Sequence, residues 1–164
     1  MLDWLWSLWP VLLVAAMIYA AITLIQHLAG RTATPYVARD RLVTNAELRF
    51  FHKLRDAVDN DWEIFAMVRI ADILKVPKGI KKRRVWLNRI LAKHIDFVLC
   101  DSESLEIVMG IELDDASHDR TDRIQRDNFV NSAFDDADIP LLRVPTQKSY
   151  DAGDIRKMID RAVS

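Results

Sequence analysis

From Trp4 to Gly30 the chain carries no Asp, Glu, Lys or Arg. At about 1.5 Å per helical residue, such a stretch outreaches the roughly 30 Å hydrocarbon core of a bilayer. A helix is the conformation that lets a span of this kind satisfy its backbone groups internally. Trp4, Trp6 and Trp9 gather at one end, where amphipathic rings favour the membrane–water interface, and Gln26 and His27 stand near the other. Pro10 falls in the first turns, where a missing N–H costs least. A cleaved signal peptide carries positive charge ahead of a shorter apolar core, whereas here the charge ahead of the core is Asp3. Arg31, Arg39 and Arg41 follow the span, with Asp40 among them, and no Lys or Arg precedes it. The positive-inside rule then sets the C-terminal side in the cytoplasm. The expectation is a single-pass protein of the inner (cytoplasmic) membrane. Residues 1–30 would be the transmembrane anchor, 31–43 a polar tether containing Pro35, and 44–164 a soluble domain facing the cytoplasm.

The remainder of a 164-residue chain is enough for one small domain. It has no internal repeat and no low-complexity tract. Cys100, the single cysteine, excludes an intrachain disulfide and a Cys-rich zinc ribbon. In an apolar run it reads as a small buried hydrophobe.

Hydrophobic periodicity supplies the elements. Leu48, Phe51, Leu54 and Val58 recur at helical spacing, and TNAE at 44–47 matches a capping box, which predicts a helix over 44–58. Trp62, Ile64, Ala66, Val68 and Ile70 alternate against Glu63 and Arg69, a strand pattern. Residues 72–93 are basic and read as partly helical. Two apolar runs, 94–100 and 106–113, joined by a DSES turn, read as a hairpin. A helix over 120–136, a short strand over 140–144 and a helix over 151–163, with Asp151 as its N-cap, complete the order. Helix, strand, helix, two strands, helix, strand, helix predicts an α/β domain with a mixed sheet flanked by helices.

The net charge of −1 hides segregation. Thirteen Asp and Glu lie between Asp96 and Asp138, against three arginines, 120, 123 and 126. Most of these acids read as solvated surface, and Asp101, Glu103 and Glu106 flank a turn. Asp96 and Glu112 differ, because each sits inside an apolar strand. Burying a carboxylate costs several kcal/mol unless something compensates. A divalent cation is one compensation, since Mg²⁺ prefers oxygen ligands. Glu112 and Asp114 share a strand face, as do His94 and Asp96, and hairpin pairing would let the acids converge. The plain alternative pairs these acids with Arg126, Arg143 or the basic segment.

Taken together, Glu47, HIDFVLCD (94–101), GIELDDASH (110–118), the RxxRxxRD helix (120–127) and IPLLRVP (139–145) resemble the PD-(D/E)xK nuclease superfamily. The layout is similar to the restriction-endonuclease-like branch that includes very-short-patch-repair endonucleases. The nearest specific resemblance is to the bacterial domain-of-unknown-function 2726 family, over roughly residues 42–162. The resemblance implies a restriction-endonuclease-like sheet and a site for Mg²⁺ or Mn²⁺. It makes Asp96 and Glu112 metal ligands and Glu47 a third, although Glu47 also completes the capping box with Thr44. The superfamily's usual lysine is replaced by Asp114. His118 occupies the position where related branches carry a histidine, which would orient water or move a proton. Asp115, Ser117, Arg126 and Asp127 are weaker candidates. The implied activity is phosphodiester hydrolysis in DNA, with RNA the second substrate class. The alternative is an inactive nuclease-fold module that binds nucleic acid or protein at the membrane.

Between Ile73 and Ile95 stand eight cations and no acid: Lys75, Lys78, Lys81, Lys82, Arg83, Arg84, Arg89 and Lys93. Such a run, above all Lys81, Lys82, Arg83, Arg84, Arg89 and Lys93, can hold nucleic-acid phosphates. It also reads as a solvated helix face, or as a contact with anionic lipid close to the anchor. Trp86, Leu87 and Ile90 recur at helical spacing, which fits core better than a base-stacking platform.

Overall fold

The structure is a computed structural model describing residues 8–28, 34–114 and 121–164; of residues 28 and 121–127 only the backbone is described. The chain forms two compact units, residues 1–39 and 40–164.

The first unit holds helix α1, Trp9–Leu28. Its stretch Trp9–His27 is long and apolar enough to cross a membrane by length and composition, and none of it is buried. Being apolar on every side, it differs from a helix with one apolar stripe facing a soluble core.

The second unit is a mixed α/β domain. Its elements are α2 (Asn45–Val58), β1 (Trp62–Arg69), α3 (Ile70–Ile73), α4 (Arg83–Leu91), β2 (His94–Asp101), β3 (Ile107–Asp114), α5 (Thr121–Asp135), β4 (Leu141–Pro145) and α6 (Ala152–Val163). The four strands lie in the order β1-β2-β3-β4. The first three pair antiparallel, and β4 joins β3 in parallel after the α5 crossover.

Helices cover both faces of the sheet. On one, Phe50, Leu54 and Val58 of α2 and Ile155 and Ile159 of α6 pack on Phe97, Leu99, Met109, Ile111 and Val144. The four-residue spacing within each helix builds that stripe. On the other, Ile70, Ile90, Val130 and Phe134 pack on Ile95, Val98 and Cys100. Burial pushes the Cys100 thiol up, so this cysteine serves as core.

Side chains cap the N-termini of α2 and α6. Thr44 Oγ1 accepts the Glu47 N–H at 3.3 Å and Glu47 Oε2 accepts the Thr44 N–H at 2.7 Å, closing the capping box of α2. Asp151 accepts the Asp154 N–H at 3.0 Å and caps α6. Between β2 and β3, Asp101 Oδ1 accepts from the backbone N–H groups of Glu103 (3.1 Å) and Ser104 (2.8 Å) and from the Ser104 hydroxyl (2.9 Å). These bonds, the Ser104 backbone foremost, hold the Asp101 carboxyl below the ordinary aspartate value.

A Cβ on Gly110 would meet Phe134 Cε1 at 2.9 Å and Leu141 Cδ1 at 3.0 Å. Gly110→Ala should therefore destabilise by about 1–3 kcal/mol in urea unfolding of the full chain in detergent. Asp101 has a lowered folded pKa, so the unfolded state binds the proton more readily. Its contribution is complete above the ordinary aspartate value and is lost as pH falls through the lower folded value. In an acid titration of the unfolding midpoint, Asp101→Asn should remove that part of the slope. An unchanged slope would deny the turn this role.

Candidate functional site

The carboxylates singled out in the sequence lie where β2, β3 and β4 meet. Among the described residues, Glu112 is the buried charged side chain, 8% exposed. Continuing the β2–β3 register one step from Phe97↔Ile111 sets Asp96 opposite Glu112. Asp96 Oδ2 accepts the Leu113 N–H at 2.8 Å, so the carboxylate is tied to the backbone of β3.

The backbone is irregular in the same row. The β1–β2 ladder runs Ala66↔Phe97 and Val68↔Ile95, setting Met67 opposite Asp96. Met67 has φ +56, a left-handed conformation that a side-chain-bearing residue adopts at a cost of about 1–3 kcal/mol. Ile95 and Phe97, which would share a face of a regular strand, belong to different apolar clusters. The strand thus turns its faces at Asp96.

The parallel β3–β4 register pairs Glu112 with Arg143. Arg143 Nη1 donates to Asp114 Oδ1 at 2.8 Å and stands 3.7 Å from Glu112 Oε2. Its Nε donates to Asn131 Oδ1 of α5 at 3.0 Å. One guanidinium thus bridges two strand carboxylates and is oriented by a helix amide, a use of its planar fork that a lysine could not copy. The pairing of strand acids with Arg143, the plain alternative in the sequence, is present for Glu112 and Asp114. Asn131 carried no sequence signal, because its part depends on where α5 crosses the sheet.

One oxygen of Glu47 is held in the capping box. His118, Asp115 and Ser117 lie outside the described residues, as do the side chains of Arg126 and Asp127. Among the described residues no three His, Cys, Asp or Glu form a group that could hold a metal ion. Mg²⁺ commonly keeps several waters and takes one or two carboxylates besides substrate phosphates. Asp96 and Glu112, on adjoining strands, are a donor pair that fits this habit.

The basic segment is mostly surface. Lys81, Lys82, Arg83, Arg84 and Arg89 are exposed and Lys93 is half-buried. Leu87 and Ile90 turn into the core, but Trp86 is 45% exposed, against the expectation of a core residue. The short helix α4 presents Leu87 and Ile90, three apart, to the sheet, and this leaves Trp86 at the rim. Arg89 lies over the rings of Phe129, 3.9 Å from the centroid, and Trp86, 5.1 Å.

The domain is thus a mixed sheet flanked by helices, with carboxylates on its middle strands and an arginine on the edge strand β4. A family model described as "Protein of unknown function (DUF2726)" matches residues 39–163, and the chain belongs to that family. Comparisons with curated proteins and with solved structures give no match.

The bridge makes a stability prediction. Arg143→Met should destabilise by about 1–3 kcal/mol, because buried Glu112 loses the opposite charge of the guanidinium. Adding Glu112→Gln should recover part of that loss, with a coupling of about 1 kcal/mol or more in a double-mutant cycle. Strict additivity in urea unfolding would mean that the bridge contributes nothing.

Proposed function

We propose that this protein is a membrane-anchored, divalent-metal-dependent nuclease of the PD-(D/E)xK type. It would hydrolyse phosphodiester bonds in DNA, with RNA the second substrate class. The observation that carries the reading is the buried Glu112 set opposite Asp96 on the middle strands, with Asp114 and Arg143 beside it. Helix α1 serves in this reading as the anchor in the inner membrane, with the domain in the cytoplasm.

The residues divide the work. Asp96 and Glu112 would hold Mg²⁺ or Mn²⁺, which when bound supplies Lewis-acid stabilisation to a scissile phosphate and lowers the pKa of a water. The Leu113 N–H fixes the Asp96 carboxylate, so its placement costs little reorganisation on binding. Arg143 sets positive charge beside Glu112 and Asp114 and orients the Asp114 carboxylate, and its guanidinium brings positive charge to where a phosphate must approach. Asp114 occupies the place of the superfamily's lysine and is a support for Arg143 here. His118 is the candidate for orienting water or moving a proton. Glu47 is a further candidate ligand, in competition with its cap.

One observation favours a second reading. Asp114 is bound to Arg143 at 2.8 Å, so two of the strand carboxylates already have a cation beside them. A nuclease fold stabilised in this way could bind nucleic acid or protein at the membrane without cleaving.

The test is a cleavage assay of the full chain in detergent. Single- and double-stranded DNA and RNA are offered with Mg²⁺, Mn²⁺ or EDTA. Metal-dependent cleavage is expected, reduced to the EDTA level in Asp96→Ala/Glu112→Ala. Retained cleavage in that double variant would sink the mechanism. Salt-sensitive binding without cleavage would select the second reading.

A further inference from the structure

The segment between β1 and β2 has a chemistry that the carboxylate site does not use. Seven of its eight cations, Lys75, Lys78, Lys81, Lys82, Arg83, Arg84 and Arg89, are exposed, and no acid is interspersed. Large apolar side chains are exposed among them: Ile80 (46%), Val85 (56%), Trp86 (45%) and Leu91 (43%). Beside them opens a groove of about 1220 Å³, lined by Ile73, Ile80, Trp86, Ile90, Phe129 and Ile139, with Lys75 and Arg89 also on its wall.

Exposed apolar groups at this density need a partner that removes them from water. Phosphates of a nucleic acid would engage the cations alone. Base stacking on Trp86 is disfavoured, because Arg89 already lies over that ring and over Phe129. An anionic bilayer surface matches both halves of the chemistry. Cations meet headgroup phosphates, and apolar side chains enter the headgroup–acyl boundary. Distance permits it. The sixteen residues between Leu28 and Asn45 can reach at most about 55 Å, which bounds how far an anchored domain can leave the lipid surface.

We propose that residues 75–91 form a peripheral contact with anionic phospholipid, with Lys81, Lys82 and Arg84 on the headgroups and Ile80, Val85 and Trp86 in the boundary layer. The proposal rests on the anchored reading for its proximity and is independent of whether the carboxylates cleave anything.

Hydrogen exchange of residues 74–91 tests it. The full chain is reconstituted into vesicles of phosphatidylcholine alone or of phosphatidylcholine with about one quarter phosphatidylglycerol, and each is floated on a density gradient. The expected result is exchange slowed about tenfold or more in the anionic vesicles. The slowing should weaken in 0.5 M salt (about a 4 Å screening length) and vanish in Lys81→Glu/Lys82→Glu/Arg84→Glu. These side chains are exposed, so the variant should keep its melting temperature. Equal exchange in both vesicles overturns the proposal. So does protection by a duplex oligonucleotide in neutral vesicles with none from phosphatidylglycerol, which would assign the surface to nucleic acid. Failure to float with neutral vesicles would refute the anchor. Flotation with anionic vesicles alone would then still support the lipid contact, and flotation with neither would overturn it.

Discussion

A carboxylate held inside a sheet is costly, and Glu112 at 8% exposure sets the terms for what surrounds it. Removing it from water costs several kcal/mol unless opposite charge and hydrogen bonds compensate. The parallel β3–β4 register answers this by pairing Glu112 with Arg143. The same register, two residues earlier, pairs Gly110 with Leu141, and there α5 presses Phe134 onto the strand. Close packing and charge compensation therefore depend on one alignment. A one-residue slip would put Arg143 on the wrong face and Leu142 or Val144 where Glu112 needs a cation.

From that alignment the rest of the site is built outward. Arg143 is long enough to reach Asp114 as well, and Asn131 of α5 fixes the plane of its guanidinium. Asp96 arrives from the neighbouring strand and is fastened to the backbone of β3. The left-handed Met67 in the adjoining row lets β1 follow β2 through the place where its faces turn. Strain of this sort persists where surrounding contacts over-determine it, and here it lies beside the carboxylates of interest.

Much of this frame was legible in the residues. TNAE announced the start of α2 because a capping box is a local device, complete within four residues. The DSES turn was legible for the same reason, since Asp101 and Ser104 satisfy the loop from within it. Alternation marked β1, apolar runs marked the other strands, and Asp151 as N-cap marked the start of α6. The unusual setting of Asp96 and Glu112 could be inferred from apolar neighbours alone. What could not be inferred depended on sheet order. Arg143 stood as one of several candidate partners until β4 was known to lie parallel beside β3. Asn131 and the conformation of Met67 have no local signature, because each answers to a neighbour distant in sequence. Trp86 was misread by periodicity, since a nine-residue helix has room to bury one narrow stripe and that stripe is Leu87 and Ile90.

Glu47 shows how a local motif and a site motif can compete for one side chain. Its carboxylate completes the cap of α2, a contribution of about 1 kcal/mol, and that bond sets where the side chain points. Recruiting it as a ligand would sacrifice part of the cap. The basic surface presents the reverse case, in which two features share support without sharing a side chain. Leu87 and Ile90 bind α4 to the apolar cluster that contains Ile95 and Phe134, and those two residues also press on Gly110 of β3. Core substitutions in α4 would therefore disturb the β3–β4 alignment and with it the setting of Glu112. Changes confined to Lys81, Lys82 and Arg84 act on charge at the surface and leave that alignment alone. The physical separation of the two features lies there, between side chains that carry the sheet and side chains that meet solvent.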